Sequence, residues 1–335
     1  MPSYSYNTSN PGAAVSNRED LSDTLTILAP EETPVLSSLS KTRASAVHHE
    51  WTMDSLADVD TAGVSEGVDV STYADEFSAR VRVGNYTQKF RRAYQVSDIQ
   101  EVVDSVGPAK FAQAEAKALR ELKRDVEATI LSDNEQDVED GSGSNPYKMR
   151  GLGKWIQSGA QATNPVPTDY RTPADSVYDI STSGAFTETA MNNIITSIYR
   201  VSGATQSLTL VADTALRRVI SDFARIGEIG TAGSGDASIR NVNYNGETAK
   251  IKLSVELYQS DHGIVSIVNM NPDCSPDTTN KNRGYFLNPE YASIAELIPV
   301  GSTVLPNLGG GERGYVDCAL TLAVHHPGAH GKIEQ

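Results

Sequence analysis

The sequence predicts an α+β chain: a two-stranded arm, then one long helix, then a compact helix–strand–helix unit with returning strands. Three observations predict this. Residues 46–53 and 77–84 alternate apolar and polar side chains with strand period, and the polar stretch 57–74 separates them. Residues 108–132 repeat apolar side chains at helical spacing. Residues 187–223 read as helix, strand and helix in turn.

Composition bounds the answer. The chain has 335 residues, more than the roughly 250–300 that one core accommodates, so two domains or one domain with long extensions are expected. Hydrophobic residues make up 39%, enough for a packed interior. Lys plus Arg number 28 against 43 Asp plus Glu, a net charge of −15. That excess opposes nucleic acid over the surface as a whole, though a local basic patch could still bind. Cys274 and Cys318 form no CxxC, which argues against a disulfide framework or a zinc knuckle; one pairing of the two stays open. No run approaches 18 apolar residues, so no membrane-spanning helix is expected. The start, Met1-Pro-Ser-Tyr, lacks the basic and apolar parts of a secretory signal, so folding in a cytoplasm is expected. Fourteen Tyr against six Phe suit half-wet contact surfaces.

Residues 1–17 are rich in Ser, Asn, Tyr and Gly and should be floppy in a free monomer. Arg18 to Leu28 reads as a short helix stopped by Pro30, and Thr33-Pro34 opens a second short turn carrying Val35, Leu36 and Leu39. In the arm, Val47, His49, Trp51 and Met53 share one face, as do Phe77, Ala79, Val81 and Val83. About twelve residues of strand reach about 40 Å. A compact 100-residue domain has a radius of gyration of only about 13 Å, and an isolated ribbon is marginal in water. The arm is therefore expected to overhang its own domain and to lie on another copy.

Charge in the arm is sorted. Ala44 to Ala79 holds no Lys or Arg but carries Glu50, Asp54, Asp58, Asp60, Glu66, Asp69, Asp75 and Glu76. Arg80 to Arg92 holds no acid but carries Arg80, Arg82, Lys89, Arg91 and Arg92. Two readings stand: opposite charges pair across the hairpin, or part of this charge meets a neighbouring subunit and sets register.

The long helix opens near Pro108, where a missing N–H costs little. Phe111, Leu119, Leu122, Val126 and Ile130 form its stripe, while Lys110, Lys117, Arg120, Lys123 and Arg124 share the other faces with Glu115, Glu121, Asp125 and Glu127. It spans about 35 Å. An acidic loop follows, and 147–185 look irregular, with Trp155 and Tyr170 as anchors. Thr187 starts a helix bearing Met191, Ile194, Ile195 and Ile198 that stops at Gly203; 207–212 form a strand; Asp213-Thr214 cap a helix with Leu216, Val219, Ile220 and Phe223. Residues 227–240 read as a loop, Tyr244-Asn-Gly-Glu247 as a hairpin turn, and Ile251, Leu253, Val255 and Leu257 as a strand. Further strands are expected at 263–268, 291–299 and 315–324, a polar loop at 271–283, a turn at 309–314 and a tail from His325.

Chemistry is sparse. His48 and His49 are adjacent on a strand and point to opposite faces, so they cannot chelate one ion. His326 and His330 could approach across a Pro-Gly turn, yet no carboxylate-rich partner is placed nearby in sequence. No GxSxG, HExxH, Walker A or dinucleotide fingerprint occurs, and Gly151-Leu-Gly153 lacks the later glycine. No catalytic, metal or cofactor-binding residue is expected.

The order of parts, together with Arg18-Glu-Asp-Leu-Ser-Asp, Ala29-Pro-Glu-Glu-Thr-Pro34, the long-helix region and Pro327-Gly-Ala-His-Gly near the end, resembles the major capsid (major head) proteins of tailed phages with the Hong Kong 97-type fold. It is most similar to their SU-ten-like branch. The resemblance implies an N-terminal arm at 1–45 and an extended loop at 46–95. It implies a peripheral domain at 96–185 and 305–335 with a spine helix at about 108–132, and an axial domain at 186–304. It implies a structural protein that self-assembles as hexamers and pentamers into an icosahedral head in the host cytoplasm and ends in the virion. The head encloses double-stranded DNA without sequence-specific binding and without a membrane. Portal, scaffolding and decoration proteins are the further partners it implies, any scaffold being a separate protein. Asp58, Asp60, Glu66, Asp69, Arg80, Arg82, Lys89, Arg91, Arg92, Lys117, Arg120 and Arg124 are the expected contacts between subunits. The alternatives are a tail or decoration protein, a cellular shell compartment of the same fold, and a metal-assisted hydrolase using His326 and His330.

Overall fold

Nineteen regular elements order the chain in the computed structural model, which describes residues 32–71, 73, 75, 77, 79–102, 110–142, 144–159, 166–203, 206–223 and 256–335. Expectations for Arg18–Leu28, Pro108, the 227–240 loop, the Tyr244–Glu247 turn and Ile251–Val255 lie outside these residues. The first stretch holds α1 (Pro34–Ser38), β1 (Ser40–Arg43), β2 (His48–Met53), β3 (Val81–Tyr86), β4 (Gln88–Val96) and α2 (Asp98–Val102). The middle holds α3 (Lys110–Leu131), α4 (Leu152–Trp155), β5 (Val177–Asp179), α5 (Ile180–Ser183), α6 (Glu188–Ser202), β6 (Gln206–Ala212) and α7 (Thr214–Phe223). The remainder is β7 (Leu257–Ser260), β8 (Gly263–Asn269), β9 (Gly284–Leu287), β10 (Ala292–Leu305), β11 (Glu312–Val324) and β12 (Gly331–Glu334).

These strands form three sheets, ordered β1-β10-β11-β4, β5-β12-β9-β6-β8-β7 and β2-β3. The helix α3 lies across β4 and β11. It does so because Ala118, Leu122, Val126 and Ile130 recur every four residues, and all four are buried. Burying each large member stabilises by roughly 1.5–3 kcal/mol. A second core joins α6 and α7 to the six-stranded sheet through Met191, Ile194, Ile198, Leu210, Leu216 and Phe286. The helix α6 begins where the Thr187 hydroxyl accepts from Ala190 N and ends at Gly203, whose φ of 72° suits glycine.

Strand pairing adds three points. Within 46–95 only β2 and β3 pair as a ribbon, His48 opposite Tyr86 through Met53 opposite Val81, while β4 belongs to the body sheet beside β11. Polar alternation alone could not separate a ribbon strand from a sheet strand that follows it after one residue. The tail is built into the body. Residues 331–333 are buried and β12 sits between β5 and β9. Its polar groups are paired: Lys332 Nζ donates to Gly153 O at 3.1 Å and lies 2.7 Å from Glu334. Finally, the boundaries expected at 186 and 305 do not follow sheet membership, since β10 lies in the four-stranded sheet and β12 in the six-stranded one. β10 also runs past Pro299, which falls between Ile298 and Gly301 where the register with β11 shifts.

The two sheets are bolted together at the end of α3. Tyr285 Oη donates to Leu131 O at 2.7 Å, and Arg283 pairs with both Asp133 and Glu334. Gly151 and Gly153 allow α4 to approach this point. A Cβ on Gly151 would lie 2.2 Å from Ser132 O, and one on Gly153 1.8 Å from Asp133 Oδ1. The Gly-Leu-Gly run is a packing device.

Candidate functional site

The feature least explained by the chain's own packing is the arm beyond its root. From Asp54 to Arg80 no described residue belongs to a helix or strand. Leu56 is 97% exposed, Val59 90%, Val64 85% and Tyr73 84%, and Val68, Val70 and Phe77 are exposed too. Isolated exposed apolar side chains are ordinary; seven within one short segment mark an interaction surface. The segment also carries Asp58, Asp60, Glu66 and Asp69. Asp60 Oδ1 accepts from Ala62 N at 2.7 Å, and none of the four has an ion pair among the described residues.

The root, by contrast, is packed on its own chain. Met53 and Val83 are buried, and Trp51 lies 5.5 Å from Trp155. Asn85 is the pin. Its amide donates to Leu322 O at 2.8 Å and Arg150 O at 3.2 Å, and its oxygen accepts from Arg150 N at 2.9 Å. Tyr170 Oη donates to Ala79 O at 2.6 Å, holding the neck. The root of the arm is therefore packed on its own chain, while the tip is exposed among the described residues.

Most of the basic run is used inside the chain. Arg80 pairs with Asp54 at 3.0 Å and lies 4.6 Å from the Phe77 ring; Arg82 pairs with Glu50 at 3.3 Å. These are the cross-hairpin pairs of the first reading. Lys89 and Arg91 share Asp317 on β11 at 3.1 and 3.5 Å, and Arg92 grips Asp125 on α3 through two bonds of 2.6 and 2.7 Å. Arg124 pairs with Asp273. Lys117, 3.9 Å from Glu121, stands with Arg120 and Lys123 on the exposed face of α3. The structure thus divides the expected contacts into an acidic, apolar tip, a set of intrachain pairs and a basic helix face.

Sequence reasoning missed Asn85 and Glu127. The Glu127 carboxylate is fully buried and accepts from Val35 N at 2.9 Å and Leu36 N at 2.8 Å, fastening α1 to α3. Burial raises its pKa and the two N–H groups oppose that rise. An asparagine inside a strand was the available signal for Asn85; Glu127, four residues from Lys123, looked solvated.

The histidines do not converge on a metal. Among the described residues no group of three or more His, Cys, Asp or Glu could hold an ion. His330 is wholly buried, its Nδ1 accepting from Asn288 N at 3.2 Å, and burial lowers its pKa to about 4. Cys274 and Cys318 are free and buried, and burial raises both thiols to about 11, which leaves them unreactive. No helix among the described residues is long and apolar enough to cross a membrane.

Known proteins match the same architecture. A stretch of 111 residues is 33% identical to the major capsid protein of Escherichia phage Phieco32, covering 32% of this chain. The match spans 31% of that relative's length. The fold superposes on the Cyanophage A-1(L) capsid asymmetric unit with a TM-score of 0.64 at 14% identity, over 95% of this chain and 96% of that one. It superposes on the capsid of Cyanophage P-SCSP1u with a TM-score of 0.63 at 10% identity, over 96% and 93% of the two chains. These likenesses are of fold. The family model of the SU10 major capsid protein matches residues 3–335. The chain therefore belongs to the SU10 major capsid protein family, with the Hong Kong 97-like fold that its order of elements resembles.

Proposed function

We propose that this chain is the shell-forming subunit of a tailed-phage head, assembling with itself as hexamers and pentamers around double-stranded DNA. The observation that carries this reading is the arm tip, whose apolar side chains are left uncovered among the described residues. In our reading the tip of one copy lies on the body of the next, its acids facing the basic stripe Lys117, Arg120 and Lys123 on α3. The net charge of −15 fits a container: genome must be packed in and later released, so a wall that does not stick to phosphates is an advantage. Portal, scaffolding and decoration proteins are further partners in this reading, with assembly in the host cytoplasm and residence in the virion. The family is structural, and the reading assigns the chain no catalytic role.

The test is assembly of the purified full chain, followed by light scattering and electron microscopy. Closed shells or capsomers are expected. A chain that stays monomeric under all assembly conditions overturns the reading. The charge pairing is tested separately. Reversing Lys117, Arg120 and Lys123 to Glu should suppress assembly, most at low salt, and reversing Asp58, Asp60, Glu66 and Asp69 to Lys in the same chain should restore it. Unchanged assembly of the first variant rejects the pairing.

A further inference from the structure

Both tryptophans of the chain meet at the arm root. The Trp51 ring on β2 lies 5.5 Å from Trp155, 6.0 Å from His49 and 5.7 Å, edge-on, from His325. His49 belongs to the arm, two residues before Trp51 and on the same face of β2. His325 belongs to the body, directly after β11, with Nε2 3.0 Å from Ser293 Oγ. One indole is thus flanked by two imidazoles from opposite sides of the joint.

We propose that the arm root is a protonation-controlled hinge: in acid, charges on His49 and His325 repel across Trp51, and β2 lifts off Trp155 while the body sheets stay folded. Burial lowers the pKa of both groups; His48 lowers His49 further and His49 lowers His325 further, so both are neutral at pH 7. Among the described residues, the acids of β2 and of the Trp155 side are already paired. On β2, Glu50 lies 3.4 Å from His48 Nδ1 and already pairs with Arg82 of β3. Beyond Trp155, the Arg150 guanidinium sits 5.1 Å from the ring and pairs with Glu135 at 3.2 Å. In the tail, His326 packs edge-on against Tyr291, and both His326 and His330 are lowered by burial. Charging His49 and His325 therefore places two like charges on either side of the Trp51 ring. On the β3 side, Asn85 and the Tyr170–Ala79 bond act on the other strand and provide the pivot.

The hinge is a property of the single chain, beyond the shell reading, so failure to assemble leaves it untouched. The experiment follows the full chain from pH 8 to pH 4 by tryptophan emission, far-UV circular dichroism and hydrogen exchange corrected for intrinsic rates. Emission should change below pH 6.5, because both reporters sit in the joint. Exchange over 48–53 should rise at least tenfold while 316–324 stay protected and the dichroism holds. His49→Gln and His325→Gln should each cut that rise at least threefold, and the double variant should abolish it. If His325→Gln proves unfolded at pH 8, His49→Gln carries the test alone. Equal loss of protection in wild type and variants overturns the hinge, as does a single step in which emission and dichroism change together.

Discussion

Replacing Asn85 by Ala tests the claim that one buried amide pins the arm to the body. Asn85 is fully buried and fills three hydrogen bonds. In the alanine variant the Arg150 N–H loses its acceptor, a penalty of about 1–3 kcal/mol for a buried donor left unpaired. The carbonyls of Leu322 and Arg150 each lose a donor, about 0.5–1 kcal/mol apiece. Together these reach about 3 kcal/mol, from a total stability of roughly 5–15 kcal/mol for a domain. Chemical denaturation should show that loss, and hydrogen exchange should show β2 and β3 losing protection before β11. Asn85→Asp is the sharper control. It preserves the shape and the acceptor for Arg150 N but turns a carboxylate oxygen toward two carbonyls in a dry site, so it should be at least as damaging as alanine. A loss below about 0.5 kcal/mol in Asn85→Ala, or a wild-type Asn85→Asp, would refute the pin.

Three further outcomes follow from the same geometry. Glu127→Ala orphans Val35 N and Leu36 N and should lower stability by about 2–4 kcal/mol, read as lost exchange protection over 35–39. Gly151→Ala pushes a methyl against the Ser132 carbonyl, which is backbone and cannot swing aside; a loss of about 1–3 kcal/mol is expected by denaturation. His330 falls from 6.5 to about 4 on folding, so its contribution is fully present above pH 6.5 and is lost as pH falls toward 4. That shift is about 3 kcal/mol, and His330→Asn should flatten the acid limb of a stability–pH curve.

Much of the scaffold was legible because period and capping are local signals. The stripe of α3, the Thr187 and Gly203 caps of α6 and the Asp213–Thr214 start of α7 each follow from residues within a few positions of one another. What failed was non-local. That β4 leaves the ribbon for the body sheet depends on pairing with β11, more than two hundred residues away. That the tail becomes an inner strand depends on Gly153 O and Glu334 satisfying Lys332. The sorted charge from Arg80 to Arg92 was visible, but its partners Asp125 and Asp317 lie on distant elements. Charge in a sequence therefore indicated where pairs would form without indicating whether the partner belonged to the same chain.

The division of the arm into a pinned root and a bare tip has a physical consequence. A ribbon that floated from its base would have to be ordered entirely at the moment of contact, at about 1–2 kcal/mol of entropy per residue fixed. Here β2 and β3 are held in the single chain by Asn85, Trp51 and Tyr170, so the ribbon's own ordering is not left to the moment of contact. The root fixes the direction in which the exposed tip projects. That arrangement suits the contact between copies proposed above. The basic residues nearest the arm take part in internal pairs that brace the platform from which the acidic tip projects, while Lys117, Arg120 and Lys123 lie on the exposed face of α3.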